Sequence, residues 1–416
     1  MKLRGLCLAV IFVCFSMTAL AEKEQAVKGA SETIIAQIDF PSWIKESLKI
    51  SPDGKRIAYV VFTLDRKQFV YVDNKEEKRY DGILMNTPVF SPDGKHMAYA
   101  AQTDKKWVVI IDGKEEKKYD NIGAGSMTFS PNGKRAVYAA ESNGKWVAVV
   151  DGKEEKQYDG IGFLGFSPDG KRIAYAAKSE GKWFAVIDGK EEKPYEGLGF
   201  LVFSPDGKRI AYAAKSEGKW FAVIDGKEEK KYDNIGAGFI TFSSDGKRVA
   251  YTAKSGGKWF AVIDGKEEKQ YDGINTVIFS TDSKHTACVV RSGGKESVVI
   301  DGKKVKQYNA IGSLVFSPDS KRVAYTALTG GKWFAVIGGK IGEKYDDIRG
   351  GSLVFSPDSK RVAYAARTGD KWFAVIDRKQ GRQYDDVKET NFNFSSDSKH
   401  IVYIAQSDKK WLMVTE

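Results

Sequence analysis

Three imidazoles, a recurring acidic residue, a file of lysine–tryptophan pairs and one cysteine are the side chains of this chain that could carry chemistry. A histidine can act as acid, base or metal ligand near neutral pH. His96, His285 and His400, however, all stand at one position of a repeated string, a position held elsewhere by Arg56, Arg248 and Arg361. They fall in its second, seventh and tenth copies. They read as substitutes for an arginine that follows a turn, and no metal or cofactor is expected.

The acidic residue recurs at Asp53, Asp93, Asn132, Asp169, Asp206, Asp245, Asp282, Asp319, Asp358 and Asp397. A calcium loop needs oxygen ligands at alternating positions, and no copy supplies them; turn capping is the expected role. A serine hydrolase of the elbow type needs Gly-x-Ser-x-Gly, which does not occur. Cys288 takes the place of a strand tyrosine such as Tyr175 and reads as a small buried hydrophobe, not a reactive thiol. These residues predict no enzyme.

Trp107, Trp146, Trp183, Trp220, Trp259, Trp333, Trp372 and Trp411 each follow a lysine. Aromatic rings stack on sugars, but repetition at one strand position points to packing. The preceding lysines, including Lys106, Lys145, Lys182, Lys219, Lys258 and Lys410, should line one face. An acidic partner or a polyanion could use that face; solubilising charge is the simpler role. A unique site is expected where the repeat breaks. The first strands of the terminal copies carry Lys49, Asn391 and Asn393 where others have mostly Val, Ile or Thr, and Arg291 and Glu296 interrupt the seventh copy.

The elements that hold these residues follow from the string Phe-Ser-Pro-Asp-Gly-Lys-Arg, which recurs in variants ten times with a period of about 38 residues, the mark of a solenoid, propeller or array. Within residues 199–236, four strands are predicted: Gly199 to Ser204, Arg209 to Ala214, Trp220 to Asp225 and Glu228 to Asp233. Ser204-Pro205-Asp206-Gly207 suits a type I turn, and Asp225-Gly226 a primed hairpin turn. The second and third strands are almost continuously apolar, so both faces must be covered. The fourth is charged, as an exposed edge should be. The expected fold class is therefore all-β, a β-propeller of four-stranded antiparallel blades with about ten repeats. A single ring is preferred over two smaller ones. The tenth copy lacks a fourth strand, and Ile34 to Phe40 sits at the spacing to supply it and close the ring.

At the N-terminus, Lys2 and Arg4 precede an apolar run that ends in Ala19-Leu20-Ala21. This reads as a signal peptide over 1–21, cleaved after Ala21, then a linker over 22–33 and the propeller over 34–416. Cys7 and Cys14 leave with that peptide, so Cys288 has no intramolecular disulfide partner. The run is too short for a comfortable transmembrane span, and no later segment approaches the ~20 apolar residues one requires. Loss of Lys2 and Arg4 lowers the formal charge of +11 by two. The signs alternate within stretches such as Asp225-Gly226-Lys227-Glu228-Glu229-Lys230, unlike a phosphate-tracking patch, so nucleic acid is not an expected partner.

The string Phe-Ser-Pro-Asp-Gly-Lys-Arg-Ile-Ala-Tyr at Phe166 to Tyr175 and Phe203 to Tyr212 resembles the WD-like repeat of the TolB C-terminal propeller and related bacterial envelope proteins. The resemblance spans nearly all of the chain after the signal segment. It implies a periplasmic or secreted scaffold that binds other proteins. Residues 22–40 are too few for the N-terminal α/β domain of the TolB family. The expected function is a noncatalytic, monomeric interaction propeller with an envelope or extracellular protein partner. A glycan- or anionic-polymer-binding propeller is the alternative, and a propeller enzyme the third reading.

Overall fold

The computed structural model describes residues 43–236, 240–275, 277–388, 392–407 and 410–416. The expected signal peptide, the linker and the closing strand at 34–40 lie outside these. The chain divides into two compact units, one ending at Leu201 and the other starting at Val202. Blades 1–4 belong to the first unit and blades 6–10 to the second; the division falls within the first strand of blade 5, Gly197–Phe203. The described residues contain no helix and form ten antiparallel sheets. Each sheet is one propeller blade.

Blade 4 shows the pattern. Its strands are Gly160–Phe166, Ile173–Ser179, Lys182–Ile187 and Lys190–Glu191, paired in that order. The register joins Tyr175 to Val186 and Ala177 to Phe184. Gly170 N donates to Ser167 O at 2.8 Å, closing the four-residue turn between the first two strands. Asp188 and Gly189 both have positive φ, 51° and 77°, the geometry of a primed hairpin turn.

The predicted strands are recovered with two differences. In blades 2, 3, 6, 7, 9 and 10 the first strand is two short pieces, as with Gly82–Ile83 and Val89–Phe90. Pro88 between those pieces has no N–H to offer a ladder. The fourth strand is six residues long in blades 2, 3, 7 and 9, but two residues plus one bridge at its tyrosine in blades 1, 4, 5, 6 and 8.

The second and third strands are buried on both faces because consecutive blades stack on them. Between blades 1 and 2, Ala58, Val60 and Val70 meet Tyr99, Ala101, Val108 and Ile110. The fourth-strand tyrosine of one blade lies edge-on against the second-strand tyrosine of the next, as in Tyr80 and Tyr99 at 6.2 Å, Tyr119 and Tyr138 at 6.2 Å, and Tyr345 and Tyr364 at 6.2 Å. Edge-to-face packing adds ~1 kcal/mol beyond area burial, so this recurring pair strengthens the seams that have it.

Candidate interaction surface

The conserved geometry of the turns begins with a buried serine. Ser51 Oγ donates to Asp53 Oδ1 at 2.6 Å and accepts from Arg56 N at 2.9 Å, while Lys55 N donates to Asp53 Oδ1 at 3.2 Å. The Ser51 hydroxyl and then the Lys55 amide hold the Asp53 carboxyl below its ordinary range. The same arrangement recurs at Ser91, Ser167, Ser204 and the later turns. The aspartates are thus engaged in turn capping.

Where an arginine follows the turn, it reaches into the next blade at Arg56, Arg135, Arg209, Arg248 and Arg361. Arg248 Nε donates to Asp264 at 2.8 Å within its own blade, and Nη1 donates to the carbonyls of Ser283 at 3.2 Å and Lys284 at 2.8 Å in the following one. Its guanidinium also lies 5.1 Å from the centre of the Phe279 ring. Arg56, Arg209 and Arg361 do the same. His96 and His285 keep the intrablade part through Nδ1 contacts of 2.6 Å to Asp112 and 2.7 Å to Asp301. His96 and His285 therefore keep the intrablade half of the arginine role, each in its own blade.

Four of the six lysines singled out in the sequence are paired. Lys145 meets Asp159 at 2.5 Å, Lys219 meets Asp233 at 2.6 Å and Lys258 meets Asp272 at 2.5 Å; Lys106 is bound to Asp120. Each aspartate opens the next blade, and its second oxygen accepts an amide there, as Asp159 does from Glu180 N at 2.8 Å. Lysine first and amide second hold these carboxyls below their usual range. The acid that follows Lys182 at this spacing is Glu196, whereas Lys295 of blade 7 has Asn309 there. The side chain of Lys410 lies outside the described residues. The tryptophans from Trp107 to Trp372 are half-buried beside the fourth-strand tyrosines, the side chain of Trp411 lying outside the described residues, and Lys178 and Lys254 lie 5.7 and 5.8 Å from the ring centres of Trp183 and Trp259.

Among the other sequence candidates, Lys49 is half-buried opposite Ala58 and Asn393 is exposed opposite Val402; Asn391 lies outside the described residues. Arg291 and Glu296 face each other across strands two and three of blade 7. Glu296 Oε2 accepts from Ile311 N at 2.7 Å, as Gln68 Oε1 does from Ile83 N at 2.8 Å. Glu296 thus ties its blade to the next. Arg291 and Glu296 share blade 7, and Asn393 and Lys410 share blade 10; the other described candidates fall one to a blade.

Two surface features are visible only in three dimensions. The fourth strands are stitched together: Lys78 meets Glu115 at 2.7 Å, Lys117 meets Glu154 at 2.7 Å, Lys156 meets Glu191 at 2.8 Å and Lys230 meets Glu267 at 2.7 Å. On the first strands of blades 4 and 5, the rings of Phe163 and Phe200 meet edge-on at 6.4 Å while remaining 37% and 61% exposed. The signal for that pair was the Gly-Phe-Leu string shared by the two first strands, which sequence periodicity assigned simply to a strand.

No protein-family model matches the chain, and no curated protein matches it in sequence. Among solved structures, a eukaryotic initiation factor aligns at 14% identity over 80% of this chain and 96% of that one, with a TM-score of 0.43. TolB from Acinetobacter baumannii aligns at 18% identity over 62% and 84%, with a TM-score of 0.28. The β-propeller domain of the trilobed protease from Pyrococcus furiosus aligns at 19% identity over 64% and 97%, with a TM-score of 0.31. The ten antiparallel sheets of four or five strands make this chain a β-propeller repeat protein.

Proposed function

We propose that this chain is a noncatalytic propeller, exported to the bacterial envelope, that serves as a binding scaffold for another protein. The exposed Phe163–Phe200 pair carries this reading. Aromatic residues, phenylalanine among them, are enriched at the cores of protein interfaces relative to the rest of the surface. The turn aspartates and Arg-site histidines support a noncatalytic role because their hydrogen bonds are taken up in holding turns and seams.

The test is capture from an envelope extract on the immobilised chain, at low and high salt, comparing wild type with F163S/F200S. A defined protein retained at high salt by the wild type and released by the double variant supports the scaffold reading. Retention of polymer alone, removed by salt, overturns it. Substrate turnover by the purified chain would overturn the noncatalytic part.

A further inference from the structure

In blades 1 to 6 the fourth strand carries a Glu-Glu pair, from Glu76-Glu77 to Glu267-Glu268. The first glutamate of that pair accepts the preceding blade's lysine at four of the seams, among them Lys117 to Glu154 and Lys230 to Glu267. Blades 7, 8 and 9 have Lys304-Val305, Ile341-Gly342 and Gln380-Gly381 at those places. The acceptor has gone from three successive blades, while the cation position keeps Lys306 in blade 7 and Arg382 in blade 9 and holds Glu343 in blade 8. Lys269 of blade 6 stands where a lysine elsewhere finds glutamate, and its counterpart in blade 7 is Lys304. Lys306 has Ile341 as its counterpart.

The fourth strand of blade 7, Lys303–Tyr308, holds three lysines and no acid. Lys269, Lys303, Lys304 and Lys306 are exposed and form no ion pair among the described residues. Lys379 and Arg382 continue the cationic character on the exposed fourth strand of blade 9. At the tryptophan hairpins Lys106, Lys145, Lys219, Lys258, Lys332 and Lys371 each meet an aspartate; the lysines of the blade 7 fourth strand meet none among the described residues.

We infer that the fourth-strand edge of blade 7, centred on Lys304 and Lys306 and flanked by the fourth strands of blades 8 and 9, binds a linear anionic polysaccharide. Three observations select that class. The cations are solvated ammonium groups on flexible stems, which attract charge without demanding one rigid partner geometry. The register shift in blade 7 between Ser297 and Val299 breaks the ladder that carries the strand, a device that discourages an added peptide strand. Ile341, 51% exposed, is the only large exposed hydrophobic of these fourth strands among the described residues, so the edge lacks the clustered apolar anchors of a folded protein partner. The inference does not depend on the scaffold reading, whose surface is the Phe163–Phe200 pair.

The experiment titrates fluorescently labelled polygalacturonate, dextran sulfate and polyglutamate of matched length into the full chain, between about 0.05 and about 0.5 M salt, a range over which screening of exposed charges changes strongly. Two variants are compared, K304E/K306E and K145E/K258E, which lower net charge equally. The expected result is polysaccharide binding that weakens with salt and falls about tenfold in K304E/K306E, with a much smaller change in K145E/K258E. Binding of polygalacturonate without dextran sulfate, or the reverse, assigns the carboxylate or the sulfate as the group recognised. Equal losses in the two variants, or none in K304E/K306E, would overturn the site. Tight binding of polyglutamate alone would replace the polysaccharide with an acidic protein segment and overturn the assignment. Far-UV circular dichroism and melting curves establish that both variants fold. Loss of polysaccharide binding with protein capture intact, or the converse, separates this inference from the scaffold reading.

Discussion

The amide of Asp245 donates to Ser283 Oγ at 2.9 Å, joining the turn of blade 6 to that of blade 7. Ser283 has φ of 65°, a conformation costly for a non-glycine residue, and its hydroxyl gains a partner in that conformation. The same bond joins Asp282 to Ser320, Asp319 to Ser359 and Asp358 to Ser398 at 2.9, 2.8 and 3.0 Å. At Gly94, Gly133 and Gly246 the preceding blade's aspartate carboxylate fills the space instead. At Gly133, a Cβ would lie 2.5 Å from Asp93 Oδ1.

Gly133→Ala should therefore destabilise the protein by about 1–3 kcal/mol, from positive-φ strain plus displacement of a carboxylate already held by Ser91 and Lys95. Ser283→Ala keeps the strain and loses the bond, and should cost ~1 kcal/mol. Urea unfolding midpoints check both; a neutral Gly133→Ala would show that the seam yields at no cost.

Cys288 stands where the next-blade tyrosine would meet Tyr271, and a cavity of about 20 Å³ remains there, lined by Ile263, Tyr271, Val277 and Val299. Cys288→Tyr should restore the edge-to-face pair and stabilise the fold by ~1 kcal/mol. Burial pushes the Cys288 thiol up to about 12, so iodoacetamide should label it only in the unfolded protein. Melting curves and labelling followed by mass spectrometry test the two statements.

Arg248→Ala removes contacts to Asp264, Ser283, Lys284 and Phe279 together. A loss of about 1–3 kcal/mol is expected, since a part-buried charged donor leaves acceptors unpaired. Arg248→His should cost less, because His96 and His285 keep the intrablade partner in their own blades. Thermal unfolding of the two variants orders them.

Stability should fall on both sides of neutrality. The turn carboxyls Asp53, Asp206 and Asp358, held by serine hydroxyls and lysine amides, have folded values below those of the unfolded chain. Their contribution is complete above the unfolded value of about 3.9 and is lost as pH falls through the folded values. The seam tyrosines behave in the opposite sense. Burial raises Tyr232 to about 12, so its contribution is complete below the unfolded value of about 10 and is lost as pH rises through about 12. Urea midpoints from about pH 2 to about pH 12 should show both limbs; a flat acid limb would contradict the turn network.

Periodicity alone determined the blade. A string that recurs with one turn signal, two continuously apolar strands and one charged strand leaves few ways to bury the apolar faces except by stacking copies. The same repetition showed His96 to be an arginine substitute, because its neighbours in the string are those of Arg56. It also showed Asp53 to be a turn residue, because Ser-Pro-Asp-Gly encodes a turn through short-range sterics and local hydrogen bonds.

Which charges remain uncompensated was decided only by tertiary structure. Lys106 and Lys304 look alike in sequence, yet one is bound to Asp120 and the other has no ion-pair partner among the described residues. Fourth-strand partners such as Lys117 and Glu154 are 37 residues apart and meet across a seam between blades. Charge compensation depends on distance in space, and a strand's own sequence does not state which residue of the next blade will face it. Phe163 and Phe200 show the same limit: each reads as one apolar residue in a strand, and only stacking of the first strands places their rings together at the surface.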